Sequence, residues 1–314
     1  MQRRWRRIAD SYDPPRVFVS EASSPGRLNF LTEDRLHTTF TFDSVFCAWD
    51  AASLRHMIDH NLRLHAAVGA ATTWVMGNHD QTRPASRYGK RITGWDFPAS
   101  GEVAEADRIW AEFLYPWPTD AVLGRRRARA LALLYLALPG GMYVYQGEEL
   151  GLDEVEDLPV RSLQDPAFWR SNGRTRGRDG CRVPLPWSGT AAPFGFGAGE
   201  PWLPQPAHWA GLTAEAQASD PASTLSLYRE ALAIRKRHPA FRSAGMRWVE
   251  SGGHPEVLTF VRDPGLVVQV NCGRHLQPLP EDATIVMASA LDDAGMLPPD
   301  AAVWWERPAT LEAR

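Results

Sequence analysis

The hydrophobic pattern divides the chain into a long region where helices and strands alternate and a shorter region of strands alone. Residues 2–12 predict the end of an amphipathic helix, because an Asp-Pro-Pro run at 13–15 stops the pattern. Residues 17–19 (Val-Phe-Val) form a continuous apolar run, which is typical of a strand buried on both faces of a parallel sheet. Residues 36–46 alternate with a period of two and predict the next strand.

The alternation of helix and strand continues to residue 240. It predicts helices at 51–67, 125–138 and 225–238, strands at 72–77 and 142–145, and irregular segments at 90–122 and 153–210. From residue 246 only short strands follow, at 247–249, 257–261, 266–270, 284–286 and 303–305. We therefore predict an α/β domain over residues 1–240 and a small antiparallel β domain over residues 241–314.

Three polar residues, Asn78, His79 and Asp80, end the apolar run that starts at Trp74. Each polar group would need a partner if it were buried, so packing alone does not explain their position. At the C-terminal end of a strand in a parallel barrel, such residues point into an active site. The alternative is a polar turn in which Asn and Asp serve as turn residues.

Other polar positions allow a structural and a functional interpretation. Glu21 follows the apolar run at 17–19 and is either a salt-bridged structural residue or a catalytic carboxylate. The arginine-rich stretch 174–184 is, in isolation, a solvated basic loop. His56 and His60 are spaced for one helix face, but no third ligand accompanies them, so we predict no metal site there.

Composition excludes some classes of protein. The net charge of -3 gives no basic surface for nucleic acid. The cysteines, Cys47, Cys181 and Cys272, are odd in number and far apart, which favours reduced thiols in a cytoplasmic protein. No apolar segment of a signal peptide follows the basic start, and the longest apolar run, 130–138, is too short to cross a membrane.

Three stretches together resemble the α-amylase family of glycoside hydrolases (family 13), and within it the α-glucosidase and oligo-1,6-glucosidase branch. They are residues 16–22, 74–89 and 138–152, and they occur in the family's order. The resemblance implies that Glu21 is the general acid/base and that Asp80 clamps sugar hydroxyls, with His79 beside it. It also implies that Arg178 reaches the sugar, with Arg182 as the second choice. Ser23 stands where this branch often carries an aromatic residue.

The resemblance also implies an architecture: the later half of a (β/α)8 TIM barrel, strands five to eight, followed by the small antiparallel β domain. The glutamates at 148 and 149 fall in a turn that the family uses structurally. No position matches the nucleophilic Asp that follows strand four of the family's barrel, nor the Arg beside it. We therefore expect the chain alone to be inactive, or to pair with a chain that supplies strands one to four.

The implied activity is hydrolysis of short α-linked glucose oligosaccharides with retention, without cofactor or metal. A sugar isomerase or transglycosidase of the same family is one alternative. A catalytically inactive fragment, or half of a split enzyme, is another. The sequence leaves linkage preference, oligomeric state and calcium dependence open.

Overall fold

A computed structural model describes residues 1–22, 25–32, 34–94, 118–249 and 254–307. Its helices are α1 (Gln2–Asp10), α2 (Phe42–Phe46), α3 (Ala51–Ala66), α4 (Pro84–Arg87), α5 (Ala121–Ala137), α6 (Pro166–Arg170), α7 (Ala214–Ala218) and α8 (Thr224–Arg237). Its strands are β1 (Val19–Ser20), β2 (Thr38–Thr39), β3 (Thr73–Val75), β4 (Gly141–Tyr143), β5 (Met246–Trp248), β6 (Val257–Arg262), β7 (Leu266–Asn271), β8 (Thr284–Ala288) and β9 (Ala301–Glu306).

The first four strands lie side by side in chain order. Strand β1 pairs with β2 and β3 pairs with β4, both in parallel. Two side-chain hydrogen bonds join the pairs: Thr38 Oγ1 donates to Ala71 O (2.9 Å) and Thr73 Oγ1 donates to Thr39 O (2.6 Å). Both pairs are parallel, as predicted for this region, although each strand is shorter than its apolar run.

Helix α5 is the centre of the main hydrophobic core. Residues 130–138 are buried on every side, which fits their uninterrupted apolar sequence. On one side the Tyr135 hydroxyl donates to Ser44 O (2.8 Å), next to the parallel strands. On the other side the Trp304 indole donates to Leu133 O (3.1 Å), which ties the helix to β9.

The C-terminal strands form one antiparallel sheet in the order β5-β6-β7-β9-β8. The strands predicted from residue 246 onward are thus confirmed, each within a few residues of its predicted bounds. Its inner face packs on α5, and side chains of both regions share one hydrophobic cluster. The domain boundary at 240/241 stays a prediction.

Two predicted features of the parallel region are wrong. Residues 17–19 were expected to be buried on both faces, but Val17 is 66% exposed and Val19 37% exposed. The reason is that β1 is an outer strand, whereas the inner strands β2 and β3 are buried at every position. The strand predicted through residue 46 stops at Thr39, and Phe42–Phe46 is helical.

The remaining sequence expectations concern the cysteines, the membrane and the excursion at 90–122. All three cysteines are free thiols. Within the ranges described above, no helix has both the length and the apolar composition to cross a bilayer. Of the predicted excursion, residues 95–117 lie outside the described residues.

The apolar surface of β1 predicts association of the chain, because an outer strand with exposed apolar side chains offers an edge for pairing. We expect the sedimenting mass to rise above 35.0 kDa with concentration. Val17→Lys should lower it, whereas Val122→Lys, at an exposed position on α5, should leave it unchanged. A wild-type chain that stays monomeric at every concentration would contradict this prediction.

Candidate functional site

The turn that follows β3 carries the polar residues singled out from the sequence. The Asn78 side chain accepts a hydrogen bond from the Asp80 backbone N–H (2.8 Å), which is the local bond of an Asx turn. The interpretation of Asn78 as a turn residue is therefore correct. Its role leaves the side chains of His79 and Asp80 free to project from the end of the strand.

Two arginines hold the Asp80 carboxylate. Arg178 Nη1 lies 3.1 Å from Asp80 Oδ2, and Arg182 Nη2 donates to Asp80 Oδ1 (2.5 Å). Arg182 also donates through Nε to His79 O (2.8 Å), so it bonds both the backbone and the side chain of the turn. The Asp80 side chain remains 28% exposed. Such charge-assisted bonds on both oxygens fix the orientation of the carboxylate.

Arg178 is itself held by Asp165, a residue whose role the sequence did not indicate. Arg178 donates to the Asp165 carboxylate through its backbone N–H (2.8 Å), Nε (2.6 Å) and Nη2 (3.2 Å). The Asp165 side chain is only 1% exposed. Burial opposes its ionisation, but the hydrogen bonds from Arg178 and from the Ala167 N–H prevail and lower the pKa of Asp165 to about 2. Asp165 is therefore ionised near neutral pH.

Further hydrogen bonds join this turn to the loop after β4. Arg83 donates to Gln146 O and to Cys181 O (both 2.8 Å), and its backbone N–H donates to Glu154 (2.9 Å). Because Cys181 lies between the two arginines that contact Asp80, Arg83 ties the loop 178–182 to the turn after β3. The site is thus built from two loops at the ends of β3 and β4.

Three of the predicted site residues come together, and the fourth stands apart. Asp80, His79 and Arg178 lie in one cluster, with His79 Nε2 3.6 Å from Asp80 Oδ1. Glu21 directly follows β1 and is exposed. In the part of the chain that the structure describes, no hydrogen bond or ion pair joins Glu21 to that cluster.

Two further members of the cluster, Arg182 and Asp165, had only weak signals in the sequence. Arg182 was the second choice, after Arg178, for the arginine at the sugar in a stretch that holds four arginines between residues 174 and 184. Asp165 precedes Pro166 and accepts from the Ala167 N–H as the N-cap of α6. A capping pattern of this kind was the signal available, but it points to a helix start and not to a partner of Arg178.

Carboxylate and guanidinium groups in this arrangement suit the binding of polar, uncharged groups. Two arginines balance the charges of Asp80 and Asp165, so the cluster has no excess charge to attract an ion. Among the residues that the structure describes, no group of three or more His, Cys, Asp and Glu side chains could hold a metal ion. Hydrogen bonding is the chemistry that these side chains can offer to a ligand.

Comparison with known proteins shows which family the chain is similar to. Residues 116–244 match the family model described as alpha amylase, catalytic domain. A probable alpha-glucosidase of Rhizobium meliloti is 32% identical over 236 residues, which are 74% of this chain and 36% of the relative. A probable oligo-1,6-glucosidase 3 of Bacillus subtilis is 29% identical over 142 residues, 40% of this chain and 25% of the relative.

The fold is also similar to that of a solved enzyme structure. The structure of the alpha-glucosyl transfer enzyme XgtA aligns with a TM-score of 0.71 and 28% identity, over 98% of this chain and 54% of that one. The chain therefore spans about a quarter to a half of the length of these relatives.

The parallel strands and the antiparallel sheet that follows them are thus a fold that this chain shares with a solved enzyme structure. The chain is similar to the α-amylase family, and the relatives it matches include a probable alpha-glucosidase and a probable oligo-1,6-glucosidase. The resemblance stated from three short stretches of sequence is thus confirmed.

The anchoring of Arg178 by Asp165 predicts a pH-dependent loss of stability in Asp165→Asn. The folded pKa of about 2 lies below the reference value of 3.8, so the carboxylate stabilises the fold above that value and stops doing so as the pH falls through about 2. We expect the variant to lose on the order of 2 kcal/mol at pH 7. Urea unfolding at several pH values measures this difference.

The difference between Asp165→Asn and wild type should shrink as the pH falls from about 4 to about 2. Asp282→Asn, at an exposed position, provides the control and should match wild type throughout. A deficit of Asp165→Asn that stays constant down to pH 2 would mean that the ionised carboxylate is not its source.

Proposed function

We propose that this chain carries part of a site for α-linked glucose, in which Asp80 accepts hydrogen bonds from sugar hydroxyls. The observation that carries the proposal is the contact of Asp80 with both Arg178 and Arg182 at the end of β3. The two guanidinium groups orient the carboxylate, and its partial exposure leaves room for a hydroxyl donor. His79 and Arg178 would contribute further substrate contacts from the same cluster.

Glu21 is the general acid/base in this proposal. As the glycosidic C–O bond breaks, its carboxyl would give a proton to the leaving oxygen, and it would then take one from the attacking water. Retention also needs a carboxylate that attacks the anomeric carbon. No position here matches the family motif that supplies it, so we propose that the chain binds the sugar and that turnover requires a nucleophile from another segment.

We propose the later half of a (β/α)8 barrel as the architecture that carries this site. Strands β2 and β3 are buried, whereas β1 and β4 at the two sides keep exposed or half-exposed residues. This gradient is what a sheet shows when further strands would continue it at both edges. We propose that barrel strands one to four, from whatever polypeptide carries them, complete the sheet there.

Transfer of glucose to another sugar is the second candidate activity. The observation in its favour is the structural similarity to XgtA, an alpha-glucosyl transfer enzyme. Hydrolysis and transfer share the acid/base step and differ in whether water or a sugar hydroxyl is the acceptor. Product analysis with an added acceptor sugar separates them.

A reducing compartment fits the same proposal. Cys47 and Cys181 are buried thiols and Cys272 is half-buried, and none of the three is in a disulfide. We propose a cytoplasmic location, where thiols of this kind persist.

Substitution of Asp80 should weaken sugar binding selectively. Asp80→Asn removes the charge that two arginines orient, so calorimetric titration with isomaltose or maltose should show a loss of about tenfold or more. Glu230→Gln, an exposed carboxylate on α8, is the matched control and should bind as wild type does. Cellobiose, a β-linked disaccharide, should bind neither to wild type nor to Asp80→Asn. The proposed site would be refuted if wild type bound cellobiose as tightly as maltose, or if Asp80→Asn bound maltose as tightly as wild type does.

The purified chain should release no p-nitrophenol from its α-glucoside above the level of Glu21→Gln, because it offers no match for the nucleophile. The assay follows absorbance with time for both proteins at equal concentration. If wild type turns over and Glu21→Gln does not, a carboxylate of this chain acts as the nucleophile and that part of the proposal is wrong.

A further inference from the structure

A buried carboxyl group lies behind the turn that carries Asp80. Glu148 follows β4 and is only 6% exposed, and neither of its side-chain oxygens has a hydrogen-bond partner. A Cβ atom placed on Gly77 would stand 3.0 Å from Glu148 Oε1, so the carboxyl group packs directly on the Gly77 backbone. Gly77 begins the turn that ends in Asp80. The carboxyl of Glu148 therefore contacts the base of the candidate site.

Other buried polar atoms around Glu148 also lack partners. They are Nε and Nη1 of Arg87, Nε of Arg83 and the hydroxyl of Tyr228. Arg87 uses its remaining nitrogen to donate to Met76 O (2.9 Å), next to Gly77. No ion pair within 4.0 Å joins Glu148 to either arginine in the described part of the chain. The acid and the two cations are thus close enough to interact but do not touch.

Leaving these atoms unpaired would destabilise the fold, since a buried polar group without a partner loses its hydrogen bonds to water and gains none in return. A carboxyl and a guanidinium that face each other beyond direct contact can both bond to an ordered water, and buried waters typically make about three such bonds. The side chains present here, with two acceptors and several N–H donors, meet that requirement. Apolar atoms at this position would leave all of these donors and acceptors without a hydrogen bond.

We propose that Glu148, Arg87, Arg83 and Tyr228 bind ordered water in a polar site behind Gly77, and that this site fixes the position of the Asp80 turn. In this role Glu148 is a positioning residue that acts through Gly77. The effect of Glu148 on sugar binding rests on the proposed sugar site. The presence of ordered water and the rigidity of the turn do not depend on that proposal.

The protonation of Glu148 supports this arrangement. Burial raises its pKa well above the usual value, although Arg83 and Arg87 oppose the shift. The other titratable groups that face it are Glu149, Tyr228 and Tyr88. A neutral carboxyl donates one hydrogen bond and accepts others, so a neutral amide can replace it, whereas an apolar side chain of similar size cannot.

Hydrogen–deuterium exchange of the full chain tests the proposal without any sugar. In Glu148→Leu, the amides of residues 76–80 should exchange about tenfold faster, whereas Glu148→Gln should match wild type. A peptide from β6 and β7 should be unchanged in both variants. Leu185→Ala, a buried position in the loop region, controls for general destabilisation and should leave residues 76–80 as protected as in wild type.

Two outcomes would overturn the inference. One is unchanged exchange at 76–80 in a folded Glu148→Leu, which would show that the carboxyl does not hold the turn. The other is equal acceleration in Glu148→Gln, which would show that hydrogen bonding is not the cause. Should Glu148→Leu not fold, water-to-amide transfer at Gly77 in wild-type NMR spectra decides, since a dry site gives none.

Sugar titration of the same variants keeps the two proposals apart. Suppose that wild type binds maltose, that Glu148→Leu binds it at least about tenfold more weakly and that Glu148→Gln binds it as wild type does. The positioning of the turn by Glu148 then also determines the affinity for the sugar. If wild type binds no sugar, the proposed function fails, and the exchange data still decide whether Glu148 holds the turn.

Discussion

The burial of α5 is the interaction on which the other parts of this structure depend. Its second half is apolar on every side and lies between the parallel strands and the antiparallel sheet. Tyr135 of α5 donates a hydrogen bond to Ser44 O, and Trp304 of β9 donates one to Leu133 O of α5, so the helix is bonded to neighbours on opposite sides. Packing on both sides of this one helix removes apolar surface from water, which stabilises the fold. The two regions predicted as separate domains therefore share a core.

Much of the order of elements could be read from the sequence because periodicity reports burial directly. The helix at 51–67, the apolar helix that ends before Pro139 and the strands after residue 246 all have strong, simple patterns. The predicted burial of residues 17–19 was wrong for a physical reason. An apolar strand has the same sequence pattern whether other elements cover it or it lies at the side of a sheet. The strand prediction was wrong for residues 42–46 because a short alternating pattern also fits a single turn of helix.

The candidate site shows the same limit more sharply. The position of Asp80 at the end of a strand could be predicted, since polar residues rarely end an apolar run without a reason. The arginines on its two oxygens lie about a hundred residues later in the chain, and only tertiary structure brings them there. Asp165 could not have been predicted as the partner of Arg178, since its local pattern marks a helix cap. Family resemblance supplied Glu21 and His79, and their roles stay predictions.

The spacing of the two arginines has a consequence for how the site can change. Arg178 and Arg182 belong to one short stretch, and Cys181 between them is tied to Arg83. A displacement of that stretch as a whole would therefore move both arginines away from Asp80. The orientation of the Asp80 carboxylate would then depend on the position of this loop, so that a mutation elsewhere in the loop would change it without contact with Asp80.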